Sequence, residues 1–300
     1  MRRASVHEAA CWQKALLVQE VSKMSFAMRV VWIYFLLRKK LGLAKIGQPP
    51  RSPAKPSGVQ SRGLSIELEE VSGFKVYRVT PKTFNKRVVY FHGGGYVQPI
   101  ASQHWKLITD LARDSQAEFL VPLYGLAPNH TVDEALELAE QIRSSLDFSI
   151  PTFLAGDSAG GGLALALAQS NWRQLERLIL ISPWVDSTFS PRSEIYAERD
   201  PWLNPESLRY IATIWSGVAN FRRVEVSPLL GKMDSLPDTT IYAGDHELFY
   251  PDLVELFERM SSAGVNVRIV EQRGGLHVFP LIPSKEGIKA RKELLSDLGI

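Results

Sequence analysis

A serine flanked by glycines is the first group in this sequence that could do covalent chemistry. Ser158 stands in a Gly-x-Ser-x-Gly pattern, between Gly156 and Gly160, after a short apolar run and before a helical run of small residues. Glycines at these positions permit a sharp turn from strand to helix, which holds a hydroxyl beside a helix N-terminus that favours negative charge. The pattern predicts a nucleophilic serine, and a purely structural turn is the alternative.

A second glycine-rich stretch, His92-Gly93-Gly94-Gly95, follows a strand-like run that ends at Phe91. Consecutive glycines allow the N–H groups of Gly93 and Gly94 to point at one position, where a carbonyl oxygen gains negative charge in a transition state. The N–H of Ala159 is a third donor, because this residue follows the nucleophile. Together the two stretches predict a nucleophile and its oxyanion hole.

Four motifs in this sequence are similar to those of the hormone-sensitive-lipase-like esterases of the α/β-hydrolase superfamily. The motifs are His92-Gly93-Gly94-Gly95, Tyr124-Gly125-Leu126-Ala127-Pro128, Gly156-Asp157-Ser158-Ala159-Gly160-Gly161 and His277-Val278-Phe279-Pro280. The resemblance covers roughly residues 65 to 300. Leu123 departs from the family pattern, which has an Asp before the tyrosine, but that position lies outside the catalytic set. The resemblance implies an α/β-hydrolase fold and hydrolysis of esters through a serine.

The serine needs a base, and the base needs an acid that orients it. In an α/β-hydrolase the order along the chain is serine, acid, histidine. His277 is the predicted base, because it follows the strand-like run Val267–Glu271 and so lies at the same edge of the sheet as Ser158.

Two carboxylates compete for the role of the acid. Asp245 and Glu247 both follow the strand-like run Thr239–Tyr242. The resemblance implies Glu247, because the family places its acid three residues after a glycine at the strand end, and Asp245 is the alternative. These carboxylates and the intervening His246 lack the spacing of a zinc motif, so we expect no metal here. Hydrolysis through a serine, a histidine and an acid requires no cofactor.

The elements that must position these groups alternate between strand and helix. Strand-like runs occur at Leu64–Glu69, Phe74–Val79, Val88–Phe91, Glu118–Val121, Thr152–Ala155, Leu178–Ile181, Thr239–Tyr242 and Val267–Glu271. Helix-like runs occur at Trp105–Arg113, Val132–Leu146, Leu163–Trp172, Asp252–Ala263 and Glu286–Leu298. This order predicts an α/β fold with an eight-stranded, mostly parallel sheet and helices on both faces. Both glycine motifs lie at carboxyl ends of strands, where such sheets bind ligands.

Three segments supplement this alternation. Residues 1–46 are basic and helical in pattern, and residues 47–63 contain four prolines, which is typical of a linker. Residues 186–225 interrupt the hydrolase domain, residues 64–300, with a stretch rich in Trp and Tyr. A helical lid over the site is one expected role of this insertion, and packing of its aromatic residues against the hydrolase domain is the alternative.

The N-terminal segment has two interpretations. Residues 21–43 include an apolar run of eight residues, Val30–Leu37, whereas roughly 18 are needed to span a bilayer. No small-residue cleavage site follows, as it would in a secretory signal. The segment therefore completes the lid or, alternatively, makes peripheral contact with an anionic membrane as a basic amphipathic helix.

Charge and composition narrow the choice of partners. The net charge of +3 combines +9 over residues 1–60, from eleven Lys or Arg and two acidic residues, with −6 over the remaining 240. Nucleic acid is not an expected partner, because the basic residues follow an apolar helical pattern. Cys11 is the single cysteine, which excludes an intramolecular disulfide and favours a cytoplasmic location.

The predicted function is that of a serine carboxylesterase acting on small acyl esters through Ser158, His277 and Glu247. An amidase, formamidase or deacetylase would use the same groups, because the leaving group is recognised by lid residues. A ligand-binding receptor on an inactive hydrolase scaffold is the third hypothesis, and the intact set of reacting groups opposes it. Labelling by a fluorophosphonate separates the enzymes from the receptor, since it modifies an activated serine.

Overall fold

An eight-stranded sheet lies at the centre of a computed structural model that describes residues 24–41, 52–170, 172, 174–189, 191–217 and 220–300. Its strands are β1 (Leu64–Val71), β2 (Phe74–Pro81), β3 (Lys86–Phe91), β4 (Ala117–Pro122), β5 (Thr152–Asp157), β6 (Arg177–Ile181), β7 (Thr239–Gly244) and β8 (Val267–Gln272). They are ordered β1-β2-β4-β3-β5-β6-β7-β8. The pairs β1-β2 and β2-β4 are antiparallel, and the remaining pairs are parallel. The predicted eight-stranded, mostly parallel sheet is confirmed.

Helices connect most of the parallel strands. They are α1 (Phe26–Lys40), α2 (Ser102–Ser115), α3 (Val132–Ser145), α4 (Ser158–Gln169), α5 (Pro191–Tyr196), α6 (Pro205–Trp215), α7 (Tyr250–Ser262) and α8 (Lys285–Asp297). The predicted helix at Leu163–Trp172 begins and ends earlier, as α4. The three glycines after Ala159 lie inside its first turns, because close approach to neighbouring backbone compensates for their low helix propensity.

Two apolar cores lie on opposite faces of the sheet. Successive side chains of a strand point to opposite faces, and in β3 Val89 and Phe91 enter one core while Val88 and Tyr90 enter the other. Helices α3, α4 and α7 cover the first face, and α2 and α8 cover the second. This arrangement buries β5 completely and fixes its carboxyl end, where α4 begins.

Helix α1 packs against the second core and against the insertion that follows β6. Met24 and Met28 are buried in that core. The Lys39 ammonium donates to the carbonyl oxygens of Ala197, Asp200 and Leu203, at 2.9, 2.8 and 3.2 Å. No helix in the described ranges is long and apolar enough to cross a membrane. The rest of the predicted 1–46 segment lies outside the described residues.

The insertion between β6 and β7 carries α5 and α6. Asp200, between these helices, is buried and accepts the N–H of Leu248 at 2.8 Å. Trp202 lies two residues further on and stacks on Phe35 of α1, with ring centroids 4.2 Å apart. The insertion therefore contacts both α1 and the loop after β7.

Candidate active site

The turn between β5 and α4 holds Ser158 in a strained conformation. Its φ is +52°, in the left-handed region that non-glycine residues rarely adopt. A Cβ on Gly160 would collide with the carbonyl oxygens of Phe91 and His92, and one on Gly156 would collide with the carbonyl of Gly160. Glycines at both positions thus allow the turn to close, as the sequence pattern predicts.

Ser158, His277 and Glu247 form a hydrogen-bonded chain at the carboxyl edge of the sheet. The Ser158 Oγ lies 2.8 Å from His277 Nε2, and His277 Nδ1 lies 2.7 Å from Glu247 Oε2. An ionised carboxylate only accepts, so Nδ1 carries the proton and Nε2 is left to accept the serine hydroxyl. The three side chains are almost completely buried. The arrangement can transfer a proton from the serine to the imidazole.

Asp245, the alternative acid, points elsewhere. Its Oδ1 accepts the N–H of Gly274 at 2.7 Å and lies 2.7 Å from Nδ1 of His246. The structure therefore brings Glu247, and not Asp245, to His277.

The Glu247 carboxylate accepts two further hydrogen bonds on its other oxygen. Oε1 accepts the N–H of Gly244 at 2.8 Å and the hydroxyl of Ser182 at 3.0 Å. Burial raises the pKa of Glu247 above its ordinary value, although His277 and these donors oppose the rise. The donors hold the carboxylate in one orientation and favour its charged form.

Ser182 was missed by the sequence analysis. It lies directly after β6, and its Oγ accepts the N–H of Val278 at 3.0 Å while donating to Glu247. It therefore connects the loop that carries His277 with the acid. The sequence did indicate its position at the carboxyl end of a parallel strand, where the binding sites of such sheets lie.

Asp157 anchors the glycine-rich loop to the turn that bears Ser158. Its carboxylate accepts the hydroxyl of Tyr90 at 2.7 Å, the N–H of Gly93 at 2.9 Å and lies 3.2 Å from Nε2 of His104. Nδ1 of His104 accepts the N–H of Ala101 at 2.9 Å, so Nε2 carries the proton that it donates to Asp157. Burial alone would raise the pKa of Asp157, but His104 and the other donors hold it below 3.8.

These hydrogen bonds correct one prediction for the oxyanion hole. The N–H of Gly93 is already donated to Asp157 and so does not point to a shared position with the N–H of Gly94. Within the described residues, the N–H groups of Gly94 and Gly95 have no protein acceptor. Ala159 lies in the first turn of α4, where backbone N–H groups lack intrahelical partners. Gly93 thus supports the loop, and the N–H groups of Gly94, Gly95 and Ala159 are the candidate donors to a ligand.

His92 supports the loop as a neutral imidazole. Its Nδ1–H donates to the carbonyl of Gly93 at 2.6 Å, and its ring stacks on Tyr124 with centroids 4.7 Å apart. Burial, assisted by the neighbouring His104, lowers the pKa of His92 to about 4. The Tyr124 hydroxyl donates to the His92 carbonyl at 2.6 Å. The residue therefore shapes the loop without carrying charge near neutral pH.

Two aromatic rings enclose the imidazole of His277. Trp202 and Phe249 contact it edge-on, with ring centroids 5.5 and 5.3 Å away. Trp202 belongs to the insertion after β6 and Phe249 to the loop that carries Glu247. These rings exclude water from one side of the imidazole and strengthen the electrostatic interactions there.

A mostly parallel sheet with a buried Ser-His-Glu chain at its carboxyl edge defines the class of the α/β hydrolases. The family model described as the alpha/beta hydrolase fold matches residues 88–281, and the chain belongs to this family.

The proteins that this chain resembles in sequence include esterases. The chain is 28% identical to an esterase of Acinetobacter venetianus over 217 residues, which is 67% of this chain and 69% of the relative. It is 29% identical to an acetyl-hydrolase of Streptomyces hygroscopicus over 218 residues, 68% and 72% of the two chains. A solved hormone-sensitive lipase from a metagenome library superposes with a TM-score of 0.78 at 25% identity, covering 92% and 98%. The predicted resemblance to hormone-sensitive-lipase-like esterases is confirmed.

Proposed function

We propose that the protein is a serine carboxylesterase in which Ser158 is the nucleophile, His277 the general base and Glu247 the orienting acid. The observation that carries the proposal is the continuous hydrogen-bonded chain from the Ser158 hydroxyl to the Glu247 carboxylate. The names of the relatives support hydrolysis of carboxylic esters.

The first half of the reaction forms an acyl-enzyme. Oγ of Ser158 attacks the carbonyl carbon of the ester, and His277 Nε2 takes the hydroxyl proton. The carbonyl electrons move to the oxygen, which accepts hydrogen bonds from the N–H groups of Gly94 and Ala159, with Gly95 as a further donor. When the oxyanion collapses, the bond to the alcohol breaks and His277 protonates the departing oxygen.

The second half returns the free enzyme. A water molecule gives its proton to His277 as its oxygen attacks the acyl carbon, and a second oxyanion forms in the same place. Its collapse releases the acid and restores the Ser158 hydroxyl with the proton from His277. Glu247 stays ionised throughout and stabilises the imidazolium.

Small acyl esters are the substrates in this proposal, which the name of the acetyl-hydrolase relative supports. Helices α1, α5 and α6 form, in this proposal, the lid, because Trp202 contacts both His277 and α1. Residues 64–300 are the hydrolase domain that this lid covers.

The single cysteine supports a cytoplasmic location.

The test combines labelling with turnover. A fluorophosphonate is expected to modify the protein once, on the peptide that contains Ser158. Ser158→Ala abolishes the label and lowers kcat for p-nitrophenyl acetate by about 10³ or more, while circular dichroism stays unchanged. Ser65→Ala, on an exposed strand position, is the matched control and retains both.

The same assay compares p-nitrophenyl acetate, butyrate and octanoate with the anilide 4-nitroacetanilide. Faster cleavage of the anilide would change the assigned function from esterase to amidase, with the same mechanism. Wild-type turnover by Ser158→Ala would refute the assignment of the nucleophile.

A further inference from the structure

Helix α1 has one face that is anchored to the protein. Met24 and Met28 are buried, and Phe35 stacks on Trp202. Ser25, which caps the helix, donates its N–H and its hydroxyl to the Glu286 carboxylate, both at 2.7 Å. Together with the three carbonyl contacts of Lys39, these interactions fix the rotation of the helix about its axis and determine which residues face outward.

The outward face is a stripe of large apolar side chains, each between 49% and 79% exposed: Phe26, Val30, Ile33, Tyr34, Leu37 and Leu41. Apart from the adjacent pair Ile33 and Tyr34, they recur every three or four residues, so all six share one side of the helix along its whole length. Six of the fifteen large exposed hydrophobic residues in the described chain lie in this short stretch. Single exposed apolar residues are ordinary, but a continuous patch marks an interaction surface.

The charges that α1 itself places beside the stripe have a single sign. Arg29 and Lys40 are exposed on α1, and Arg38 lies over the ring of Tyr34 at 5.6 Å. Residues 24–60 contain seven Lys or Arg and no Asp or Glu. An apolar stripe whose own helix carries only cations beside it is complementary to a surface with apolar depth and anionic head groups.

We propose that the stripe of α1 docks this protein on an anionic lipid surface, with the helix lying in the plane of the interface. A second copy of the chain is a poorer occupant, because a twofold contact would bring two sets of cations together. Residues 1–23 are also a poorer occupant, since they carry four basic and two acidic residues and have the same sign of net charge.

Docking through α1 has a consequence for the position of the candidate active site. Phe35 contacts Trp202, and Trp202 contacts the imidazole of His277. The helix that meets the lipid is therefore separated from the base by a single aromatic side chain. The proposal concerns where the protein works, and it stands independently of the proposed ester hydrolysis.

The experiment measures sedimentation of the full chain with vesicles. Vesicles of phosphatidylcholine alone are compared with vesicles in which about one third of the lipid is phosphatidylglycerol. We expect binding to the anionic vesicles that is at least about tenfold stronger and that weakens as salt is raised.

Matched substitutions locate the surface. Leu37→Gln and Ile33→Asn are each expected to lower partitioning about five- to tenfold, since each removes one apolar side chain from the contact. Leu68→Gln on β1 and Ile288→Asn on α8 are the controls, because these parents are 51% and 52% exposed, against 52% for Leu37 and 49% for Ile33. Lys40→Gln is expected to weaken binding to the anionic vesicles and to leave binding to the phosphatidylcholine vesicles unchanged.

Three results would overturn the proposal. One is absence of binding by the full chain, and another is an equal loss in the α1 variants and their controls. The third is a dimer, seen by analytical ultracentrifugation, that Leu37→Gln converts to monomer without changing vesicle binding. That result would assign the stripe to a second copy. Circular dichroism and thermal melting show that each variant is folded.

Discussion

The exchange of Glu247 for glutamine tests the candidate site most directly, because the structure predicts how the amide must orient. Two donors, the Gly244 N–H and the Ser182 hydroxyl, point at Oε1. The amide oxygen of Gln must accept them, which turns the amide NH₂ towards Nδ1 of His277. Nδ1 then has to accept, so the imidazole proton moves to Nε2, opposite Ser158, and the base is occupied.

The size of the loss follows from that tautomer. A wrongly protonated imidazole with intact geometry lowers turnover by about 10⁴, equivalent to about 5 kcal/mol of transition-state stabilisation. We expect Glu247→Gln to lose between about 10² and 10⁴ in kcat, with the smaller loss if water partly substitutes for the carboxylate. The free energy of unfolding is expected to change little near neutral pH. Burial disfavours the charged form of Glu247, as its raised pKa indicates, and a neutral amide does not carry this cost of burial.

Asp245→Asn is the matched control for this experiment. Its Oδ1 accepts the Gly274 N–H, which an amide oxygen also accepts, and the side chain is 22% exposed. We expect a loss below about tenfold. The assay is kcat and KM for p-nitrophenyl acetate over a range of pH, with thermal melting of each variant. A large loss for Asp245→Asn together with near-normal turnover of Glu247→Gln would refute the assignment of the acid.

Three further predictions concern the residues that hold the site in place. His104→Leu removes the donor to Asp157 and should lower kcat about tenfold with KM within about twofold, whereas His104→Gln keeps a donor and recovers most of kcat; equal losses in both would contradict a positioning role. Ser182→Ala leaves the buried N–H of Val278 without its acceptor and should lower the free energy of unfolding by about 1–3 kcal/mol, measured by urea unfolding; an unchanged midpoint would show that this bond contributes nothing. The pKa of Asp157 is lowered below 3.8, so its contribution to stability is present above that pH and is lost as pH falls through the lowered pKa. The difference in Tm between the wild type and Asp157→Asn should therefore narrow below about pH 4 and would refute this reasoning if it stayed constant.

The sheet could be predicted from the sequence because its strands are short runs of apolar and β-branched residues that alternate with helix-like runs. Residues Thr152–Ala155 and Thr239–Tyr242 have this pattern, and β5 and β7 contain them. The pairing of Ser158 with His277 followed from chain order and from the shared edge of the sheet. Local patterns were sufficient wherever a residue's position depended on its own strand or turn.

Contacts between distant segments could not be predicted in this way. The N–H of Gly93 was expected to serve the oxyanion hole, but it bonds Asp157, which lies 64 residues later and on a neighbouring strand. Ser182 was missed for the same reason, since its partners lie 65 and 96 residues away. The start of α4 was placed too late because helix propensity opposes the glycines that strand packing requires.

The three candidate reacting groups lie far apart along the chain, so recovery of hydrolysis during refolding indicates that the strands carrying them have come together. His277 lies 119 residues from Ser158 and 30 from Glu247, and it follows β8, the strand at one edge of the sheet. Contacts of such long sequence separation form late, after much local helix is in place. During refolding, hydrolysis should therefore return after the helical signal does, when β8 has joined the sheet. An intermediate that lacks only this edge strand would be compact and rich in helix, and it would be inactive.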